Sequence, residues 1–152
     1  MKWEAVSSTI GNSVYALWNN GRKLVTLVFN PESNAARVEY GNEKRVYLLR
    51  KEGFLKNKLV FCNEYGVRLA HAGTENNSKF IVLNNQRYFY DLNDDQQPSL
   101  TIYQQSKDQP LAVCALNIAD IQTKGRGKKS RLTETAYLTL LLALCYYLFN
   151  PR

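Results

Sequence analysis

The run over residues 136–149 reads A-Y-L-T-L-L-L-A-L-C-Y-Y-L-F, and only Thr139 interrupts its apolar side chains. A helix lying on one face of a domain carries a polar stripe at a 3.6-residue period. This run has none. Leu138, Leu140, Leu141, Leu142 and Leu144 project in every direction around the axis, so protein or lipid must surround the helix on all sides. One solution is a β-structure wrapped around a central helix; the other is a membrane anchor. A helix over 133–149 would be about 25 Å long, and its apolar run falls short of the ~20 residues a span needs, which favours the core helix. The basic cluster just before the run has the character of a cytoplasmic flank. A tail anchor carrying a cytosolic β-domain therefore stands as the alternative. Ser130 or Thr133 is placed to cap the helix, Glu134 suits its first turn, and Asn150-Pro151 stops it.

Almost everything before this helix reads as strand and turn. Short strands are expected over 13–18, 23–29, 37–40, 44–51, 58–62, 67–72, 79–83, 87–92, 100–103 and 111–116. Asn20-Gly21 is a tight-hairpin pair, and Asn84-Asn85-Gln86 marks a second hairpin. The segment 72–78 reads as a polar loop. The run 23–29 is apolar at Leu24, Val25, Leu27 and Val28, as expected of a strand covered on both faces. Ten or eleven strands at roughly ten-residue spacing give the rhythm of consecutive hairpins, so sequence neighbours are expected to be sheet neighbours. The expected fold is mainly β: a closed or strongly curved antiparallel barrel of about ten to twelve strands, enclosing a hydrophobic helix over 132–149, in one domain spanning 1–152.

With 20 Lys and Arg against 13 Asp and Glu, the formal charge is +7, which favours anionic partners. Cys62, Cys114 and Cys145 lie inside apolar runs without metal-ligand spacing, and their odd number argues against a disulfide framework. Buried free thiols are expected, as in a reducing compartment. The N-terminus, Met1-Lys2-Trp3-Glu4, has no signal-peptide character, so a cytoplasmic protein, peripheral at membranes, is expected.

The run R-V-Y-L-L-R-K-E-G-F-L-K-N-K-L-V-F over 45–61 is a basic strand that passes a Gly-aromatic corner into a second strand, which ends at Asn63-Glu64-Tyr65-Gly66. This order, with the late strand over 111–116, a loop and an apolar terminal helix, resembles the Tubby C-terminal-like superfamily in its LURP-one-related and phospholipid-scramblase branches. The resemblance runs from about Trp18 onward. It implies a twelve-stranded closed barrel threaded by its C-terminal helix, and a binding or adaptor role associated with phosphoinositides or membranes. It carries over no lipid-binding residue.

Two basic stretches are candidates for anion or lipid binding. One is Lys124, Arg126, Lys128, Lys129 and Arg131, a glycine-containing charged loop; the other is Arg50, Lys51, Lys56 and Lys58 around Phe54. Both also have a plainer reading as solvated surface. Nucleic acid is disfavoured as a partner, since the tyrosines are spread over all the strands and are not gathered with bases. His71 is read as a strand-end residue sharing a face with Val67 and Leu69. No nucleophile elbow, phosphate loop or His-Glu-x-x-His occurs. Asp91, Asp94 and Asp95 fall in turn chemistry without the further oxygen ligands a calcium site needs. No enzyme, cofactor or metal is expected. The expected function is a binding or adaptor module for phosphoinositides or other anionic phospholipid head groups, or for a protein partner. A purely structural or protein-interaction domain is the further alternative.

Overall fold

The computed structural model describes residues 1–9, 11–53, 58–118 and 133–149. Among them are eleven strands: β1 (Lys2–Thr9), β2 (Asn12–Asn19), β3 (Arg22–Asn30), β4 (Ala35–Tyr40), β5 (Glu43–Glu52), β6 (Lys58–Cys62), β7 (Arg68–Glu75), β8 (Ser78–Leu83), β9 (Gln86–Asn93), β10 (Ser99–Tyr103) and β11 (Pro110–Asn117). One helix follows, α1 (Glu134–Phe149). Each strand pairs antiparallel with the next, as consecutive hairpins must, and the sheet closes into a barrel between β11 and β1.

Turn chemistry sets much of this register. Asn20 and Gly21 both take positive φ, at 50° and 74°, which is the mirror-image turn whose twist suits two flanking strands. Asn76-Asn77 and Asn84-Asn85 do the same, at 49° and 61° and at 52° and 62°. Asparagine tolerates this region better than other residues with a Cβ.

Alternation then sorts the side chains. Leu17, Leu27, Phe61, Ile81, Leu100 and Ile102 point inward and are fully buried. They meet α1, whose residues Leu142, Ala143, Leu144 and Cys145 are each 0% exposed. Four consecutive helical residues point in four directions around the axis. All being sealed from solvent means that the barrel wall surrounds α1. Every buried leucine contributes about 1.5–3 kcal/mol, so the helix is the largest single contributor to the core. Thr139, also 0% exposed, is satisfied by its own helix: its Oγ1 donates to the Ala136 carbonyl at 2.7 Å. Thr133 caps the helix, accepting from the Ala136 N–H at 3.2 Å. No helix among the described residues is long and apolar enough to cross a membrane. The tail-anchor alternative fails because the apolar surface of α1 is already spent on the barrel interior.

Several expectations need correction. The count of eleven strands among the described residues agrees with the expected ten to twelve, but β1 lies ahead of 13–18, the first strand singled out in the sequence. The alternation of β1 is broken by a register shift between Ala5 and Ser7. Closure is parallel, through Lys2, Trp3 and Glu4 against Ala115, Leu116 and Asn117, so the barrel is not wholly antiparallel. Trp3 is 0% exposed at this seam and locks it. β3 buries only Val25, Leu27 and Phe29, while Val28 faces outward between Val14 and Arg37; a central helix fills one face of a barrel wall and leaves the other to solvent. The segment 72–78 is the end of β7, a two-residue turn and the start of β8, because Asn76-Asn77 supplies the turn by itself.

Candidate functional site

Because β5 to β9 are consecutive hairpins in register, residues far apart in sequence line up across the outer face. Arg50 of β5 pairs with Val60 of β6, and Val60 with His71 of β7. His71 pairs with Val82 of β8, and Val82 with Arg87 of β9. The result is one row, Arg50–Val60–His71–Val82–Arg87, crossing five strands. The reading of His71 as a strand-end residue is corrected: β7 runs to Glu75, so His71 lies mid-strand and in the middle of this row.

Lys58 and Arg68 flank the row and, with Val60, Leu69, His71 and Val82, line a depression of about 330 Å³. Asn84 and Asn85, at the β8–β9 turn, close one side of it. Val60 is only 1% exposed although it faces outward, so the floor is apolar and the rim is cationic.

The charges here are only partly compensated. Glu52 bridges the two arginines, 2.7 Å from Arg68 and 3.6 Å from Arg50. Arg87 pairs with Glu75 and stacks over the Phe80 ring, 4.2 Å from its centroid. Phe80 in turn meets the His71 ring edge-on, with centroids 6.3 Å apart. Gly73 makes room for that ring: a Cβ there would stand 3.1 Å from Phe80. Among the described residues Lys58 has no ion-pair partner. Burial, reinforced by Lys58, Arg87 and Arg68, holds the His71 imidazole below its ordinary value of 6.5. At neutral pH His71 is therefore an uncharged donor and acceptor amid cations.

Of the residues expected from sequence, Arg50 and Lys58 share this face. Lys51 does not: it pairs with inward-facing Leu59 and lies on the opposite side of the strand from Arg50, as the period of two requires. Lys56, Lys124, Arg126, Lys128, Lys129 and Arg131 lie outside the described residues. Arg68, His71 and Arg87 were missed as site residues. For His71 and Arg87 the signal was the pair of Asn-Asn turns, which fixes the β7–β8–β9 register and so places His71 opposite Val82 and Val82 opposite Arg87; Arg68 is placed by the β6–β7 pairing, opposite Cys62.

A second polar cluster sits where α1 ends. The Tyr146 hydroxyl accepts from Arg45 Nε at 3.2 Å and donates to Glu43. Tyr47 packs against Tyr146, and burial raises the Tyr47 phenol well above its ordinary range. This cluster is a clamp on the helix end, since every member is engaged with another. Among the described residues no group of three His, Cys, Asp or Glu side chains could hold a metal ion. All three cysteines are free and buried. Set against known proteins, the chain matches no family model, no curated protein and no solved structure.

Proposed function

We propose that the protein is a non-catalytic binding module whose basic outer face docks on anionic phospholipid head groups, phosphoinositides among them. The observation that carries this reading is the row from Arg50 to Arg87 with Lys58 and Arg68 beside it. Four cations there face two carboxylates, Glu52 and Glu75. A base held near a charged membrane surface contributes about 1 kcal/mol.

The neighbouring β6–β7 turn suits the same surface. Asn63 shapes it by accepting from the N–H groups of Tyr65 and Val67 at 3.0 and 2.9 Å. That leaves Tyr65 84% exposed and Val67 55% exposed beside Arg68. An exposed aromatic next to bases is suited to the head-group region, where its ring is half-immersed. The Tubby-like resemblance agrees with this reading in architecture and in the class of ligand. A cytoplasmic protein, peripheral at membranes, would follow from it.

A protein-docking role is the second reading, favoured by the exposure of Leu111 and Val113 on β11, at 41% and 50%. Co-sedimentation with vesicles separates the two. The lipid reading expects binding to phosphatidylcholine vesicles doped with phosphatidylserine or a phosphatidylinositol phosphate, and none to phosphatidylcholine alone. Lys58→Glu should weaken that binding by about ten- to thirtyfold, since it removes one attraction and adds one repulsion. Reversal of Lys128 and Lys129 tests the other basic stretch separately. Equal binding to neutral and anionic vesicles would discard the lipid reading.

A further inference from the structure

The depression over β6–β8 has more definition than a charged surface needs. Its floor is Val60, 1% exposed; its rim carries Lys58, Arg68 and the two asparagine amides. His71 stands in the middle, with valines on both sides along the row. We propose that this depression is a pocket for one tetrahedral oxyanion, a phosphate or sulfate group either free or on a lipid head group. Lys58 and Arg68 supply standing charge there, and His71 joins them as a third cation by taking up a proton as the anion binds. The inference rests on the reading of this face as an anion-docking surface, and it adds the pocket and its proton.

The groups that face His71 set the sign of the coupling. Arg68 approaches along its own strand, Lys58 from β6 and Arg87 from β9. The acids nearby are Glu52, already bridging Arg50 and Arg68, and Glu75, paired with Arg87. The outward residues of β8 are Phe80 and Val82, which do not titrate. In the free protein the cations oppose a charge on His71. A bound anion cancels their field and favours that charge, so the complex holds a proton, drawn from water, that the free protein lacks. By linkage, the anion must then bind more tightly as pH falls. A coupling of one pKa unit amounts to about tenfold in affinity.

His71 is the only histidine in the chain, so its imidazole resonances need no assignment. Sulfate is the probe of choice, because its own charge is constant over the range in which histidine titrates. The full chain is titrated by NMR from about pH 7.5 to about pH 5.5, where imidazole changes charge, with and without sulfate. Co-sedimentation with phosphatidylglycerol vesicles at the two ends of that range covers the lipid source. The expected result is an upward shift of the His71 midpoint in sulfate, and binding about tenfold tighter at the acidic end. His71→Gln should remove the pH dependence of binding. Lys58→Gln should raise the His71 midpoint in the free protein and shrink its response to sulfate, and this variant needs no change at the histidine itself. An unmoved His71 midpoint in saturating sulfate, or an identical pH slope in His71→Gln, overturns the pocket. Vesicle binding with an unmoved His71 removes this inference and keeps the docking surface. A sulfate-shifted His71 without vesicle binding keeps the pocket for a free oxyanion and removes the membrane reading. No response to either probe removes both.

Discussion

Phe149, the last residue of α1, stacks on Tyr88 of β9 with ring centroids 4.2 Å apart and planes 12° from parallel. On the other flank Tyr147 meets Tyr40 of β4 edge-on at 5.3 Å. The helix end is thus held between two strands that are not neighbours in the sheet. Such aromatic pairs contribute about 0.5–1.5 kcal/mol each beyond the area they bury. The helix is therefore positioned by its end as well as by its leucines, and the barrel wall depends on it in return.

Leu141, 1% exposed within the barrel, is the direct test of that dependence. Leu141→Ala should lower stability by about 2–5 kcal/mol, read from the midpoint of urea unfolding. Leu141→Asp buries an unpaired charge and should leave no cooperative transition. A chain ending before Glu134 should also fail to fold, since the barrel would be left without its filling. A well-folded truncated barrel would contradict the central role of α1.

Alkaline pH should unfold the domain through its buried acids. Burial pushes the Cys114 thiol up to about 11 and the Tyr90 phenol up to about 12, and Cys145 is raised further. A raised acid keeps its proton in the folded state. The stability it contributes is full below the unfolded values of 9.0 for the thiol and 10.0 for the phenol. It is lost as pH rises through the folded values. Near-ultraviolet circular dichroism should report one transition in that interval. Below it, a thiol reagent should react with Cys114 and Cys145 only after denaturant is added.

His71 gives the opposite sign at acidic pH. Its folded value lies below 6.5, because burial and then Lys58, Arg87 and Arg68 oppose its charge. The unfolded chain therefore binds more protons, and stability falls as pH drops below about 6.5 through the lower folded value. The difference in urea midpoint between wild type and His71→Gln, in buffer free of multivalent anions, isolates this contribution from the carboxylates. The difference should vanish if His71 carries no opposing field.

Gly73 lies under Phe80, and an added Cβ would press the ring at 3.1 Å. Gly73→Ala should cost about 1 kcal/mol, as modest overpacking does, and should disturb the Arg87–Phe80 stack. Adding Phe80→Leu should recover most of that loss in thermal unfolding, since the two residues are in contact and their effects should not add. Full additivity would show that the ring is not the obstacle.

Much of this architecture can be read from the chain. The absence of a polar stripe in 136–149 requires enclosure, and 16 helical residues are too few to obtain it from a bilayer. Positive-φ asparagines and glycine mark hairpins, and a two-residue turn fixes which residues face each other on both of its strands. For that reason even His71 opposite Val82 was available from the two Asn-Asn pairs, had 72–78 been taken as strand, turn and strand. Arg50 opposite Val60 was not available in this way, because a longer connection separates β5 from β6 and leaves their register to packing. Lys51, by contrast, was legible: next to Arg50 on one strand, it must face the other way in any register.

What the chain determined by itself was local: strand rhythm, turn type and a helix that must be surrounded. What only the tertiary structure decided was non-local: closure of the barrel through a short parallel seam of β1 on β11, and the gathering of Lys58, Arg68 and His71 around one depression, in a row that ends at Arg50 and Arg87. Propensity and periodicity act over a few residues. Closure and the outer face depend on how the strands wrap the volume of α1, and on strands paired from opposite ends of the sequence.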